Sequence, residues 1–471
     1  MQVADGSYMM SWNLWRKGLY MMKIRSWLAI CCAKCLHTAI QRLHLGSGAS
    51  LPGKAALWID PNILSHLSGM TKTIVVTGTN GKTTTTSLLT HILRSQGKSV
   101  LTNQTGANLL GGIAAAFVLQ TGKDGRLHAE YACIEVDEFA ALQTLPQLNP
   151  SCILLTNISR DQLDRFGEVD VTCRRIQQAI VKVPAAALAV NCDDALLTAA
   201  LSQCRNRMVT YGINEPLFDE SARSEIREGV FCQFCGQRLA YDFFHYGQLG
   251  IYHCPGCGWG RPEAEYAAQN IHFQNGGYTF KIGSMVLHAC TNAPYHIYNT
   301  LSAYAALQAA GAPVDGFAGA VNSFCYANNR EGQYHINGAC IQLHLAKNPV
   351  GFQQKLSLLR RDPQPKDVLL LINDYAQDGR DVSWLWDVDF QYLSGVKAVT
   401  ITAGGTRRYD MGLRLKYEDI LCTISEDIPE TIQSLTLHGT KNLHIIMNYT
   451  NLQPVNALLQ KWQGNPKGAD K

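Results

Sequence analysis

Short apolar runs and helix-spaced apolar positions alternate along most of this chain. The first clear pair is Ile74–Val76, a β-branched run that meets the Gly-rich turn Thr77-Gly-Thr-Asn-Gly-Lys-Thr83 and then a periodic stretch through Leu89. That order predicts strand, loop, helix. Further runs predict strands at Ser99–Leu101, Tyr131–Val136, Cys152–Asn157 and Ala186–Asn191, with a helix through Gln120 after the turn at Gly106–Gly112. Such βαβ alternation implies a parallel sheet covered by helices. The pattern breaks between Glu228 and Arg261. After it, Tyr278–Leu287 reads as strands, Asn292–Gly311 as an Ala-rich helix, and a last helix runs through Phe324. Beyond a polar hinge at Tyr326–Gly332, a second α/β unit has strands at Ala339–Leu345, Val368–Asn373, Ala398–Ala403 and Leu443–Met447. There is no internal repeat. The expected organisation is an N-terminal amphipathic segment and linker over 1–55, an α/β domain over 56–327 with an insertion at 228–262, and a smaller α/β domain over 328–471.

The ends carry weaker signals. Gly46–Pro61, rich in Gly, Ser and Pro, reads as a linker into the first strand. Upstream, to about Thr38, Trp, Leu and Met mix with Arg16, Lys17, Lys23, Arg25 and Lys34. An amphipathic helix packed on the body fits best, ahead of a helix on a membrane surface. The run Trp27–Ala33 is far too short to span a bilayer. Residues before Met21 or Met22 are given no structure, an over-extended start being one reading of them. The polar tail after Gly464 is expected to be disordered.

Length and composition narrow the class. A chain of 471 residues is too long for one core, and its net charge of +4 gives no reason to expect a nucleic-acid partner. Sixteen cysteines are dispersed through apparent strands and helices, and one group alone has ligand spacing, which fits a reducing, cytosolic compartment.

The first loop has the chemistry of phosphate binding. Gly78 and Gly81 free the backbone to turn its N–H groups into one concavity ahead of a helix N-terminus. Thr79, Asn80 and Thr84 complete the loop. Lys82 can reach outer phosphates, and Thr83 supplies a hydroxyl for a phosphate-bound Mg²⁺. Val76 stands where the longer motif has its first glycine, so this is the shorter form. The Tyr131–Val136 run ends in Glu135, Asp137 and Glu138, where ligands of open parallel sheets bind.

Two knuckles, Cys232-Gln-Phe-Cys235 and Cys254-Pro-Gly-Cys257, are each followed directly by glycine. That spacing predicts a four-thiolate Zn²⁺ site of ribbon type. The segment around it has too few apolar residues for its own core, so metal binding is expected to replace the missing burial.

Taken in order, Gly78-Thr-Asn-Gly-Lys-Thr-Thr84, the Glu135 strand end, Thr156-Asn-Ile158, Asp161-Gln-Leu-Asp164 and the His296/Asn299 helix resemble the central domain of the Mur ligases. Folylpolyglutamate synthase shares that domain. The cysteine insertion, His344-Leu-Ala-Lys-Asn-Pro-Val-Gly-Phe352, Asp378-Gly-Arg-Asp-Val-Ser-Trp384 and Gly405-Thr-Arg-Arg-Tyr-Asp410 resemble, more narrowly, the branch that serves as ligase subunit of lipid II isoglutaminyl synthase.

This resemblance covers about residues 36–460. It implies an α/β P-loop ATPase fold with a zinc-ribbon insertion and a C-terminal α/β domain, ATP, Mg²⁺ and Zn²⁺ as cofactors, and a bacterial, cytoplasmic enzyme at the inner face of the membrane. It further implies that a GatD-type glutaminase subunit passes ammonia to the ligase within a heterodimer, and that the substrate is the lipid II stem-peptide D-glutamate α-carboxylate. By the same resemblance Asn299 meets the adenine, Thr83 and Glu135 hold Mg²⁺, and Lys82 neutralises phosphate charge.

For the proton taken from ammonia, the 378–384 loop is the candidate, with Asp381 first and Asp378 second; each could instead be a turn-former or helix cap. Arg407 and Arg408 either touch phosphate or form a solvated charge pair. Trp384 and Trp386 fit packing or partner contacts. Gln162 stands where the family has His, and Arg174 and Arg175 stand where a carbamylated lysine is expected, which puts a second metal in doubt. Two other readings stay open: a folylpolyglutamate synthase-like or amino-acid-adding ligase, and a non-enzymatic nucleotide-gated zinc-ribbon module.

Overall fold

A computed structural model describes residues 24–43, 49–103, 107–160, 168–217, 228–274, 276–326, 332–437 and 439–464. The expectations for Asp161–Asp164, including Gln162, for most of the 326–332 hinge, for the first residues and for the tail after Gly464 lie outside the described residues.

The first unit is a nine-stranded sheet. Its strands are β1 Lys72–Thr77, β2 Val100–Thr102, β3 Tyr131–Glu135, β4 Cys152–Leu155, β5 Ala187–Asn191, β6 Met208–Ile213, then β9 Tyr266–Gln274, β10 Gly277–Ile282 and β11 Met285–Ala289; β7 Ala240–Tyr246 and β8 Leu249–His253 form a separate hairpin. The order is β11-β10-β9-β6-β5-β4-β1-β3-β2. It is parallel from β2 across to β9, as the βαβ alternation requires, and antiparallel at β10 and β11.

Alternation along β1 sets the two layers. Ile74 and Val76 pack with Leu88, Leu89, Ile92 and Leu93 of helix Lys82–Ser95 and with helix Tyr295–Ala310. Val75 faces the other layer, with Ile113, Phe117 and Ile176. Full burial of each such Leu or Ile contributes about 1.5–3 kcal/mol.

The stretch expected to be a linker is instead a helix, Leu51–Ile59. Pro52 occupies its first turn, where no intrahelical N–H bond is lost. Gly53 serves close packing rather than flexibility, since a Cβ there would lie 1.9 Å from Gly111 O and 2.4 Å from Ala115 N. Gly53→Ala is therefore expected to destabilise the fold by about 1–3 kcal/mol. A denaturation midpoint equal to that of the parent would refute this close approach.

The N-terminal helix Ile24–Arg42 packs on Leu51–Ile59 through small residues, Ser26, Ala29 and Ala33. Ser26 Oγ donates to Asp60 Oδ2 at 2.5 Å, and Arg25 Nε donates to Ile59 O.

The insertion forms the crossover between β6 and its parallel neighbour β9. Its apolar residues form a small cluster that the cysteines and the main domain complete. Leu239 and Tyr252 are buried with Cys232 and Cys254, flanked by Tyr241 and Trp259, against Ala195 of the main domain.

The second unit is a six-stranded sheet. Its strands are β12 Gln333–Ile336, β13 Ala339–Leu345, β14 Lys366–Leu371, β15 Ala398–Gly404, β16 Thr423–Ile424 and β17 Asn442–Met447, in the order β12-β13-β17-β14-β15-β16. All neighbours are parallel except β12 with β13. The loops after β13, β14, β15 and β17 therefore share one end of this sheet.

Candidate active site and cysteine cluster

The loop after β1 has the backbone its glycines predict. Gly78 (φ +121°) and Gly81 (φ +87°) both lie where L side chains are strained. A Cβ at Gly78 would stand 2.4 Å from Thr156 Oγ1, and one at Gly81 2.6 Å from Asn299 Oδ1. Helix Lys82–Ser95 starts directly behind.

Lys82 is folded back into this loop. Its Nζ lies 3.1 Å from Glu138 Oε2 and donates to the carbonyls of Gly78 and Thr79. Burial raises the Glu138 carboxyl above its usual range, and the Lys82 charge opposes that rise. Thr83 Oγ1 donates to Glu135 Oε2 at 2.7 Å, so the two groups expected to hold Mg²⁺ are adjacent. Asn108 Nδ2 donates to the other Glu135 oxygen at 3.0 Å, and Asn103 pairs with the Glu135 backbone through both its N–H and its carbonyl. Neither asparagine was legible in advance, because no spacing ties them to Glu135. Two hard oxygens fixed side by side at a strand end fit a magnesium ion that keeps several waters.

Thr79 Oγ1 and Asn80 bind the segment after β4: Thr79 to the backbone of Ser159, Asn80 to Asn157 and to Ser159 Oγ at 3.1 Å. From the second unit, Asn348 Nδ2 donates to Asn80 Oδ1 at 3.1 Å. Asn299 pairs with His296 Nδ1 at 2.9 Å and accepts from Thr85 Oγ1 at 3.3 Å. Asn80, Gly81, Thr84 and Asn299 line one cavity of about 160 Å³ whose other walls include Tyr246 of the insertion, Tyr295, Tyr326 and, from the second unit, Lys347, Asn348 and Lys355. Lys355 Nζ donates to Tyr295 OH at 2.7 Å. Aromatic rings beside an amide and next to a phosphate-type loop suit a purine base.

The carboxylates at the end of β5 do different work. Asp193 accepts from Arg261 Nε at 2.6 Å, Tyr298 OH at 2.5 Å and Ile213 N at 2.8 Å. Asp194 caps helix Ala195–Leu201 and accepts from Ile158 N. Burial pushes its carboxyl up to about 6. Both bind the insertion to the sheet, since Gln248 also reaches Asp194 and Ile158 O.

The ligand atoms of Cys232, Cys235, Cys254 and Cys257 all lie within 4.8 Å of one another. Sulfurs at the corners of a Zn²⁺ tetrahedron stand about 3.8 Å apart, given bonds of about 2.3 Å. The pairs Cys235–Cys254 at 3.4 Å and Cys232–Cys257 at 3.6 Å are close to that. Gly236 and Gly258, both at φ +75°, turn the two knuckles. The donor set fits zinc.

In the second unit Asp381 Oδ1 accepts from Ser383 N at 2.8 Å. The Ser383 hydroxyl and N–H hold its carboxyl below the usual range. It lines a shallow depression with Arg380, Trp386, Arg407 and Asp410. Asp378 is buried and committed to Thr450, through Thr450 N at 2.9 Å and its hydroxyl. Burial raises it, against those bonds.

Arg407 pairs with Asp374 at 3.0 Å and Asp410 at 3.4 Å, and Arg408 covers the Tyr409 ring. Trp384 is buried against Phe352, whereas Trp386 is half exposed beside Tyr417. Arg175 stacks over Phe139 at 4.2 Å. Sequence reasoning assigned no role to Arg160, which bridges Glu228 at 3.1 Å and Asp387 at 2.8 Å and so ties this loop to the first unit.

Comparison with known proteins places this geometry. The model of the Mur ligase middle domain matches residues 76–251, and that of the MurT ligase C-terminal domain matches 345–452. The lipid II isoglutaminyl synthase subunit MurT of Streptococcus pneumoniae is 32% identical over 94% of this chain and 98% of its own length. The Staphylococcus aureus MurT subunit is 32% identical over 92% of this chain and 97% of its own. Among solved structures, a pseudomurein peptide ligase type C from Methanothermus fervidus aligns at TM-score 0.64 and 20% identity, over 85% of this chain and 81% of that one. MurF from Acinetobacter baumannii aligns at 0.63 and 16%, over 87% and 80%. The chain belongs to the Mur ligase family, in its MurT branch, and is an ATP-dependent ligase.

Proposed function

We propose that this enzyme converts the D-glutamate α-carboxylate of the lipid II stem peptide to an amide, using ATP and ammonia delivered by a separate glutaminase subunit of the GatD type. The observation that carries this reading is the likeness to MurT subunits along nearly the whole chain. The Lys82, Thr83 and Glu135 cluster supports it, as does the neighbouring cavity walled by both units, which Asn80, Gly81 and Thr84 of the same loop line. The domain limits expected from the sequence, 56–327 for nucleotide and 328–471 for the closing unit, fit such a division of labour. Action at the inner face of the bacterial membrane follows from the substrate.

A carboxylate does not accept an amine until one oxygen becomes a leaving group. Phosphoryl transfer from ATP to the substrate supplies it as an acyl phosphate. Lys82 leaves Glu138 to meet the outer phosphates, and the loop N–H groups with Lys82 stabilise charge moving onto the leaving oxygen. Thr83 and Glu135 would hold Mg²⁺, which would supply charge neutralisation for the phosphates. Asn299 and the tyrosines orient the base. Ammonia attacks the acyl carbon, the phosphate leaves, and Asp381, ionised at neutral pH, takes the surplus proton. Cys232, Cys235, Cys254 and Cys257 would hold Zn²⁺ as a brace.

The test is mass analysis of a lipid II glutamyl stem incubated with this enzyme, ATP and Mg²⁺, with ammonium or with a glutaminase subunit plus glutamine. Exchange of carboxyl for amide, with phosphate release, is the expected result. Addition of a whole amino acid would move the enzyme to the amino-acid-adding ligases. Under the same assay Asp381→Asn should lower amidation by about 10²–10⁴-fold while nucleotide binding holds. Asp378→Asn should act mainly on stability, through Thr450. Full activity of Asp381→Asn would put the base elsewhere.

A further inference from the structure

We propose that the outward face of the N-terminal helix pair, Ile24–Arg42 and Leu51–Ile59, docks on an anionic lipid bilayer. The first turns of the first helix leave more apolar surface in solvent than a helix packed on a protein body needs to. Its buried residues are mostly small, Ser26, Ala29 and Ala33 among them. Ile30 and Ile40 are buried beside them, whereas three large apolar side chains of its first turns point to solvent: Ile24 is 76% exposed, Trp27 50% and Leu28 49%. These lie at i, i+3 and i+4, one face of a helix. Arg25 and Ser26 are bonded to Ile59 and Asp60, which brings this turn beside Trp58, itself 84% exposed. Isolated exposed apolar residues are ordinary, but two tryptophans, an isoleucine and a leucine on adjoining turns form a patch that calls for a partner.

Charge identifies the partner. From Gly6 to Ile59 the chain has seven Lys or Arg side chains and not one Asp or Glu. A protein groove would not demand that carboxylates be absent over so long a stretch, whereas an anionic surface repels each of them. Tryptophan settles at the headgroup level, and Lys and Arg reach past an apolar face to lipid phosphates. Among the described residues no helix is long and apolar enough to cross a membrane, so the helix pair would lie on the bilayer rather than in it. The inference does not depend on the amidation reading, because it concerns lipid alone.

The test is sedimentation of the full chain with vesicles of phosphatidylglycerol and, separately, of phosphatidylcholine, neither containing lipid II. Binding to phosphatidylglycerol should be at least about tenfold tighter and should weaken with salt. Trp27→Ser with Trp58→Ser should cut that binding about tenfold, with circular dichroism and nucleotide binding unchanged since both side chains are exposed. Equal or absent binding to the two vesicle types would overturn the proposal. So would a concentration-dependent dimer that the double substitution abolishes, which would make a second copy the occupant.

Discussion

Lys82→Ala should lower ATP-dependent amidation by roughly 100- to 1,000-fold, the usual cost of losing one preorganised donor to a developing negative charge. Phosphate release and the carboxyl-to-amide exchange should fall together, because the lysine acts before ammonia enters. The substitution also touches stability. Lys82 and Glu138 are both about nine-tenths buried, and removing one member of such a pair strands the other. Glu138 already has a raised carboxyl, so without the lysine it is driven further toward its neutral form. The folded state of the variant then binds that proton more tightly than the unfolded chain does. Its stability should therefore decline as pH rises past the ordinary carboxylate range. Glu138→Gln added to Lys82→Ala should restore the melting temperature and leave activity lost. A double variant that regains amidation would show that Lys82 serves the fold alone.

Removing metal from the cysteine cluster, by chelation or by Cys254→Ser, should release zinc and weaken ATP binding about tenfold, which corresponds to about 1.4 kcal/mol. The route is physical. Tyr246 of the insertion lines the nucleotide cavity and meets the Tyr298 ring edge-on at 5.6 Å. Arg261 and Tyr298 both converge on Asp193. Loss of the brace would loosen the cavity wall although no thiol touches the nucleotide. Zinc content and ATP titration of the same sample check this; unchanged ATP affinity in a zinc-free chain would refute the coupling.

The parts of this enzyme that obey local rules were legible in the sequence. Glycine at Gly78 and Gly81, a hydroxyl after lysine, and two cysteine knuckles each carry a fixed backbone demand, and the structure brings those residues together. Alternation of apolar runs gave the parallel order because crossover helices impose it. What stayed hidden depends on partners distant in sequence. Asn103 and Asn108 act on Glu135 through tertiary contact, and Asn348 reaches Asn80 across 268 positions. Gly53 read as a linker residue because close packing and flexibility both select glycine. For Asp381 and Asp378 the sequence could rank but not separate two aspartates. Their environments differ in kind, one in an open turn and one sealed against Thr450.

The placement of the insertion bears on how the chain assembles. β9 meets β6 at three positions, Tyr211 with Tyr266, Gly212 with Ala267 and Ile213 with Ala268. Until those few pairs form, the whole crossover must be closed against its chain entropy, which rises with loop length. An ion held by Cys232 and Cys257 would shorten the free loop to its two flanks. The cluster would then act as a clip in time as well as in space, letting β9, β10 and β11 find the sheet sooner than an unclipped chain would.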